Sequence, residues 1–336
     1  MLRINEGDYA YASARIRAKE PKLLGISQFE RMIEAPAADE AYKVLTESEY
    51  GMSGANTTGI FAFEELLTDE MKKCYILLME IAPQVELIEA FQRRHDYFNI
   101  KVLLKAEFSA QQIPAILMET GTISSEAMSR MIRERNYSEL TPLMQEVIQQ
   151  TRDVFSKTQD PQTVDLLLDR ASYHQFAADL KEIDSLYLHR IAEIVTDITN
   201  IKMFIRARLL KKPWDFIKKI LLEGGSVPEK VYLESSEKSV DDFVEGIYTS
   251  QYGEIVRKWW ELYNTKKSIS ALEKLLDDYL MKFISEAKKV TMGVEPLIAY
   301  LFAKEAEIRN VRIIMTGKIN KLPAELIRER LRESYV

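Results

Sequence analysis

The sequence predicts an all-α protein built from three similar helical bundles, and three observations support this fold class. Apolar residues recur at helical spacing along almost the whole chain, whereas the alternating pattern typical of strands is scarce. Glycine and proline number only 12 and 10 in 336 residues, which favours long helices and few turns. A polar motif also returns three times at domain-sized intervals, which indicates internal repetition.

Long amphipathic helices are the main predicted elements. Pro83 suits the first turn of a helix that extends to about residue 107, because proline is well tolerated at that position. Residues 268–290 place their apolar side chains on one stripe with charged residues opposite. Ser270 and Glu273 resemble a capping box at the start of that helix.

The repeated motif consists of an acid, an asparagine three residues later, a β-branched apolar residue and a base. Asparagine is a poor residue for a helix interior, yet each copy lies among apolar residues. The acid and the asparagine share one helix face, and a buried amide persists only when it is hydrogen-bonded. We therefore predict that each pair is buried and bonds the main chain of a neighbouring turn. The polar members are Asp96, Asn99 and Lys101; Asp197, Asn200 and Lys202; and Glu307, Asn310 and Arg312.

A tyrosine precedes each motif as a second mark of the repeat, at Tyr50, Tyr137 and Tyr252. The three asparagines lie 101 and 110 residues apart, which matches the size of a small domain. The expected bundles are therefore residues 1–115, 116–220 and 221–336. The C-terminal residues around Tyr335 resemble the beginning of a fourth unit.

Composition and charge exclude several classes of protein. With 46% hydrophobic and 29% charged residues the chain can bury large cores, and its net charge of −6 argues against a general nucleic-acid binder. Cys74 is a single cysteine and cannot form an internal disulfide, which fits a reducing compartment. The first 20 residues contain no apolar segment of a secretory signal, and no stretch is long and uncharged enough to span a bilayer.

Catalytic and cofactor-binding motifs are nearly absent. The sequence has no phosphate-cradling GxxxxGK[ST] loop, so no nucleotide site is expected. His95, His174 and His189 are too few and too scattered to form a zinc site beside one cysteine. We expect no cofactor and no metal ion.

One acidic cluster supports an alternative function. Asp241, Asp242 and Glu245 lie in "DDFVE", which resembles the aspartate-rich Mg²⁺ motif of helical prenyl-diphosphate enzymes. Such an enzyme needs a second acidic cluster, for which residues 165–170 or 275–279 are candidates. The favoured interpretation is that the two aspartates stabilise a helix N-terminus.

Motifs in a fixed order over more than 300 residues resemble the C subunits of the bacterial and archaeal V/A-type ATPases, a family similar to the d subunit of the vacuolar ATPase. The resemblance begins at "YAYASARIRAKEPKLL" and continues through "DYFNIKVLLKA" and "DITNIKMFIRAR". Its most specific part precedes and includes the last motif and contains Glu295, Pro296, Tyr300, Lys304 and Glu305.

The resemblance implies a fold and a role. The fold is a funnel of three bundles around a pseudo-threefold axis. The role is that of a non-catalytic rotor component of the central stalk, which receives the shaft and couples it to the proteolipid ring during ATP-linked proton or sodium transport. The protein is then peripheral, on the cytoplasmic face of the membrane, and monomeric when isolated. The alternatives are the Mg²⁺-dependent enzyme and a generic helical-repeat scaffold.

Overall fold

The computed structural model describes residues 2–53 and 59–336, and these residues are predominantly helical, which confirms the all-α prediction. The α-helices of the described residues are α1 (Ala10–Lys19), α2 (Ile26–Glu34), α3 (Ala38–Thr46), α4 (Phe63–Ile81), α5 (Val85–Phe108), α6 (Ser125–Glu134), α7 (Pro142–Thr158), α8 (Pro161–Lys181), α9 (Leu186–Leu209), α10 (Trp214–Ile220), α11 (Glu229–Ser235), α12 (Val240–Gly246), α13 (Gly253–Lys266), α14 (Ser270–Ser285), α15 (Val294–Ile319) and α16 (Ala324–Arg330). Shorter 3₁₀ helices are Glu6–Tyr9, Glu20–Lys22, Glu49–Ser53, Ile60–Ala62 and Glu286–Lys289. Two short strands are β1 (Leu2–Arg3) and β2 (Ile183–Asp184).

The chain divides into two compact units. Unit 1 comprises Met1–Arg3 and Gln84–Val240, and unit 2 comprises Ile4–Pro83 and Asp241–Val336. The arrangement of three bundles as a funnel, with divisions after residues 115 and 220, stays a prediction.

Unit 1 is built around the contacts of α8 with α5, α7 and α9. Aromatic pairs connect α5 to both α8 and α7: Phe91 meets Phe176 of α8 edge-on at 5.2 Å between ring centroids, and Phe108 stacks on Phe155 of α7 at 4.1 Å. Such geometries add to the stabilisation that burial provides. The strands β1 and β2 pair in parallel in this unit, with Leu2 opposite Ile183.

Local sequence signals determine where the helices of unit 1 begin. The Thr141 hydroxyl accepts a hydrogen bond from the Met144 N–H at the start of α7, and Pro142 occupies its first turn. The Asp160 carboxylate and the Ser185 hydroxyl cap α8 and α9 in the same way. These side chains satisfy N–H groups that have no partner inside the helix.

Unit 2 is organised around α15. This helix has 26 residues, about 39 Å at 1.5 Å per residue, and most of its side chains are buried. It contacts α1, α2, α3, α4, α14 and α16. A helix covered on nearly every side has no polar face, which explains why this segment lacks clear amphipathicity.

Two details of the predicted helices differ from the structure. Pro83 lies in the connection between α4 and α5, and α5 begins at Val85 rather than at the proline. The predicted capping box at Ser270 is wrong, because Ser270 is already helical, and its hydroxyl bonds the Ser268 hydroxyl at 2.8 Å. Within the described residues no helix has the length and apolarity that a membrane crossing requires.

Candidate functional site

The acid–asparagine pairs lie in the middle of the three longest helices of the described residues, α5, α9 and α15. Both members of every pair are buried, with exposures between 0% and 4%. We call the pairs motif site 1 (Asp96 and Asn99), motif site 2 (Asp197 and Asn200) and motif site 3 (Glu307 and Asn310).

Motif site 1 binds the segment that follows α5. The Asn99 amide donates to the Met118 carbonyl at 2.8 Å and accepts from the Met118 N–H at 2.7 Å. The Asp96 carboxylate accepts from the Thr122 N–H at 3.1 Å, the Thr122 hydroxyl at 2.6 Å and the Ile123 N–H at 3.2 Å. Five hydrogen bonds therefore fasten residues 118–123 to the helix.

Motif site 2 repeats this geometry. Asn200 exchanges two hydrogen bonds with the Leu222 main chain, at 2.9 and 2.8 Å. The Asp197 carboxylate accepts from the Ser226 N–H at 3.0 Å, the Ser226 hydroxyl at 2.6 Å and the Val227 N–H at 3.1 Å. Each acceptor has the same kind of donor, at nearly the same distance, as in motif site 1.

A glycine permits the close approach of the loop at both sites. A Cβ atom on Gly121 would lie 2.2 Å from an Asp96 carboxylate oxygen, and one on Gly225 would lie 2.2 Å from the corresponding Asp197 oxygen. Neither buried carboxylate can move away without losing its donors. A side chain is therefore excluded at both loop positions.

Motif site 3 is assembled from both ends of the chain. Asn310 exchanges two hydrogen bonds with the Arg332 main chain, at 3.0 and 2.8 Å, as its counterparts do with their loops. The Glu307 carboxylate accepts from the Leu24 N–H, which belongs to the N-terminal part of the chain. It also accepts from the Tyr50 hydroxyl at 2.7 Å and the Lys304 ammonium at 2.7 Å.

The C-terminal residues are held in place by further contacts within unit 2. Tyr335 is buried and donates from its hydroxyl to the Glu20 carboxylate at 3.0 Å. The Lys288 ammonium lies 4.6 Å from the centroid of the Tyr335 ring, and the Arg332 guanidinium bonds Asp277 at 2.8 Å. The residues around Tyr335 thus complete motif site 3 as an irregular segment after α16.

The three motif helices also end alike. Each has a residue with positive φ eleven positions after its asparagine: Ala110, Lys211 and Lys321. The N–H of the next residue then bonds a carbonyl five positions earlier, at 2.9 to 3.0 Å. This αL termination satisfies carbonyls of the last turn and directs the chain back along the helix toward the motif site.

The bases of the motif lie apart from the buried pairs. Lys101 pairs with Asp169 at 2.6 Å, and Arg312 pairs with Glu64 at 2.8 Å. Lys202 is half-buried on α9. Lys101 and Arg312 therefore form ion pairs with side chains other than those of the motif sites.

The tyrosines have three different settings. Tyr50 reaches motif site 3, as described above. Tyr137 is half-buried between α6 and α7. Tyr252 is fully buried before α13, where its hydroxyl accepts from the Gln251 amide at 3.0 Å and its ring meets Tyr279 edge-on. Their interpretation as marks of an internal repeat stays a prediction.

Glu295 lies in the first turn of α15, where an acid is favourable to the helix dipole. Its carboxylate packs so close to Gly293 that a Cβ there would lie 2.3 Å from it. Gly293 also has φ near 147°, which side-chain-bearing residues rarely adopt. Glu295 is therefore part of the start of α15 rather than of motif site 3.

A buried ion-pair cluster surrounds motif site 3. Lys304 and Glu307 are one helical turn apart on α15, and the Lys304 ammonium also lies 3.8 Å from the Glu70 carboxylate on α4. Sequence reasoning did not identify Glu70. The i, i+3 spacing of Lys304 and Glu307 in an otherwise apolar helix was the available signal for a buried charge pair.

Burial and charge alter the pKa values of these groups. Burial alone would lower the pKa of Lys304, but the Glu307 and Glu70 carboxylates outweigh it and raise that pKa. Burial, together with Glu307, raises the pKa of Tyr50 well above its usual range. Burial raises the pKa of Asp96, although its hydrogen bonds from Thr122 and Ile123 oppose the shift.

The acidic segment of the alternative enzyme hypothesis has a structural explanation. Asp241 and Asp242 lie in the first turn of α12, and the Asp241 carboxylate accepts from the Trp260 indole at 2.6 Å. Across the described ranges, no three His, Cys, Asp or Glu side chains are placed to share a metal ion.

Known proteins are similar to this chain over almost its full length. A sequence model of the ATP synthase (C/AC39) subunit family matches residues 12–330. The C subunit of the V-type sodium ATPase of Enterococcus hirae is 27% identical, with 98% of this chain and 99% of that protein aligned. The C subunit of the A-type ATP synthase of Methanocaldococcus jannaschii is 26% identical over 98% of this chain and 87% of its own length. That of Haloferax volcanii is 23% identical over 96% of both chains.

Proposed function

Because the chain belongs to the ATP synthase (C/AC39) subunit family, we propose that it acts in the central stalk of a V/A-type rotary ATPase. The family match over residues 12–330 carries this proposal, and it confirms the resemblance found in the sequence. As a member of this family the chain is a non-catalytic component of a membrane-associated ATPase complex.

The proposed role is to connect the rotating shaft to the proteolipid ring during ATP-linked proton or sodium transport. A connector that transmits torque has to resist deformation. The motif sites support such a role, because each fastens the segment after a long helix to the middle of that helix through buried hydrogen bonds. Closely packed interiors have low compressibility and transmit strain. We therefore interpret the acid–asparagine pairs as structural braces.

The alternative of a Mg²⁺-dependent enzyme has less support. Its candidate residues Asp241 and Asp242 lie in the first turn of α12, where acids stabilise a helix, and the Asp241 carboxylate accepts a hydrogen bond from the Trp260 indole. The generic scaffold hypothesis explains the helical repeat but gives no reason for the family match. No specific observation favours a second function.

The test is ion transport by reconstituted complexes with and without this chain, measured together with ATP hydrolysis. Without the chain, we expect hydrolysis by the head to continue while ion transport stops, because torque needs an unbroken path to the ring. A complex that lacks the chain and still transports ions at the normal rate would contradict the proposed role.

We propose further that the chain is peripheral, is bound on the cytoplasmic face through the ring and is a monomer when isolated. Contacts between exposed charges weaken with salt, so high ionic strength should release the chain from the membrane sector without unfolding it. Sedimentation of the released chain then gives its oligomeric state. Retention at high salt with loss only in detergent would contradict a largely polar attachment.

A further inference from the structure

Unit 2 contains a cavity of about 190 Å³ whose lining is mainly basic. Five cationic side chains line it against two carboxylates, although the whole chain has a net charge of −6. We call it the cationic cavity. Its lining residues are Arg15, Lys19, Lys22, Glu49, Glu70, Lys73, Cys74, Leu77, Tyr300 and Lys304.

The floor of the cationic cavity is formed by buried polar side chains. Lys304 is only 4% exposed, and Cys74 and Tyr300 are also buried. The Lys304 ammonium bonds Glu307 at 2.7 Å and lies 3.8 Å from Glu70, so its charge is stabilised within the fold. Lys304 therefore lines the cavity as a fixed group whose charge is shared with two acids, and the surplus of positive charge comes from the rim.

The rim contributes partly exposed cations in excess of acids. The single carboxylate of Glu49 faces two lysines: it lies 2.9 Å from the Lys22 ammonium and 3.9 Å from the Lys19 ammonium. Lys73 pairs with Glu70 at 2.8 Å, so Glu70 is likewise shared between two lysines. Even when Glu307 behind Lys304 is counted with Glu49 and Glu70, three carboxylates face five cations, so the lining retains a positive surplus.

The rim has one more cation, the exposed Arg15. Its guanidinium donates to the Tyr11 hydroxyl at 2.8 Å, a neutral partner that leaves the charge uncompensated. Concave surfaces lined by one sign of charge concentrate counter-ions more strongly than flat ones. The surplus therefore attracts an anion that can accept hydrogen bonds from several directions.

We propose that the cationic cavity binds a small, multiply charged inorganic oxyanion of the phosphate class. Lysines act on phosphate as compact point charges, and their ammonium groups donate several hydrogen bonds to its oxygens. A tetrahedral dianion carries more charge than a planar carboxylate and accepts hydrogen bonds from several cations in more directions. The cavity is much larger than the about 30 Å³ of one water molecule, so its volume is sufficient for a small oxyanion.

The experiment is calorimetric titration of the full-length chain with inorganic phosphate and with pyrophosphate, at ionic strength held constant with chloride. We expect both to bind, and pyrophosphate to bind more tightly because it carries more charge. The double variant Lys19→Gln/Lys22→Gln should weaken binding roughly tenfold or more. Arg15→Gln should weaken it severalfold without removing the partner of any acid.

The matched control is Lys230→Gln, which removes an exposed lysine paired with Glu234 outside the cavity. It should leave the affinity unchanged, and circular dichroism should show that all variants fold. Absence of binding at millimolar phosphate, or an equal loss in the control, would overturn the proposal. Tighter binding of ATP than of pyrophosphate would overturn the assignment to a free inorganic oxyanion. The outcome is independent of the proposed role in transport, because the isolated chain is titrated.

Discussion

Motif sites 1 and 2 in unit 1 differ from motif site 3 in unit 2 in how the chain reaches the helix. At each of the two sites in unit 1, a single continuous loop supplies the main-chain partners described above for both the acid and the asparagine: residues 118–123 at motif site 1 and residues 222–227 at motif site 2. In unit 2 the asparagine holds Arg332 near the C-terminus, whereas the acid holds Leu24 near the N-terminus. The asparagine contacts of motif site 3 therefore match those of motif sites 1 and 2, whereas its acid has a different set of donors from a distant part of the sequence.

The difference in the acid follows from this discontinuity. An aspartate is long enough to reach the loop main chain where a glycine allows the loop to pack against the helix, as Gly121 and Gly225 do. Motif site 3 has Glu307, which is one methylene longer and also accepts from Tyr50 and Lys304. Additional side-chain partners take the place of the loop contacts at this site, and they make it depend on buried charges.

The largest predicted effect is a difference in stability between variants of motif site 3, whose acid binds a buried lysine, and variants of motif site 2, where the described partners of the acid are uncharged. Glu307→Ala should lower the free energy of unfolding by about 3–5 kcal/mol, because it leaves the buried Lys304 ammonium without its nearest acid. Asp197→Ala should cost less, since it removes an acceptor from N–H and hydroxyl donors but leaves no buried lysine. Urea unfolding of both variants measures the difference. Equal losses would show that the buried charge adds nothing to motif site 3.

The double variant Glu307→Ala/Lys304→Met sharpens this comparison. If the cost of Glu307→Ala comes mainly from the unpaired ammonium, removal of the lysine should restore part of the lost stability. A double variant that loses the sum of both single losses would contradict the explanation.

The next effect concerns the asparagines. Asn200→Leu and Asn310→Leu should each cost about 1–3 kcal/mol, because a main-chain N–H and a carbonyl lose their partners. In motif site 3 the Arg332 main chain loses both of its bonds to Asn310 and keeps only contacts of neighbouring groups, such as those of Asp277 and Glu20, so amide exchange should accelerate in residues 331–336. In motif site 2 the loop remains anchored through Asp197, and its exchange should change less. Identical exchange in the two segments would contradict the view that the bond to the acid anchors the loop of motif site 2 and not residues 331–336.

A pH dependence should follow from the raised pKa of Lys304. A group whose pKa is higher in the folded state contributes stability that is complete below its unfolded pKa, near 10.5, and is lost as the pH rises through the folded value. The wild-type chain should therefore lose stability above about pH 10.5, and Lys304→Met should lose less over the same interval. Urea titrations from pH 8 to 12 measure this, with Lys230→Met as the control.

The sequence predicted the helices and the polar pairs but not what the pairs would bind. The spacing of Asp197 and Asn200 placed both on one face of an apolar helix, and their burial required partners. The partners lie 19 or 22 residues after the asparagine in different loops. Residues 118–123 ("METGTI") and 222–227 ("LEGGSV") share a glutamate, a glycine and a hydroxyl residue at matching positions, a signal that marks both loops but does not say what they contact. For Glu307 the partner Leu24 is 283 positions away, a distance at which helical periodicity carries no information.

The smallest predicted effect concerns the base of the motif. Arg312 is half-exposed in its pair with Glu64, and exposed ion pairs contribute about 0–1 kcal/mol. Arg312→Gln should therefore lower stability by less than Asn310→Leu, although both positions belong to one motif. Salt should remove most of the difference between Arg312→Gln and the wild type, because exposed charges are screened. Urea unfolding at low and high sodium chloride measures both quantities. If Arg312→Gln lowered the free energy of unfolding by several kcal/mol even at high salt, Arg312 would belong to the buried contacts of motif site 3. The interpretation of its contact with Glu64 as a surface ion pair would then be wrong.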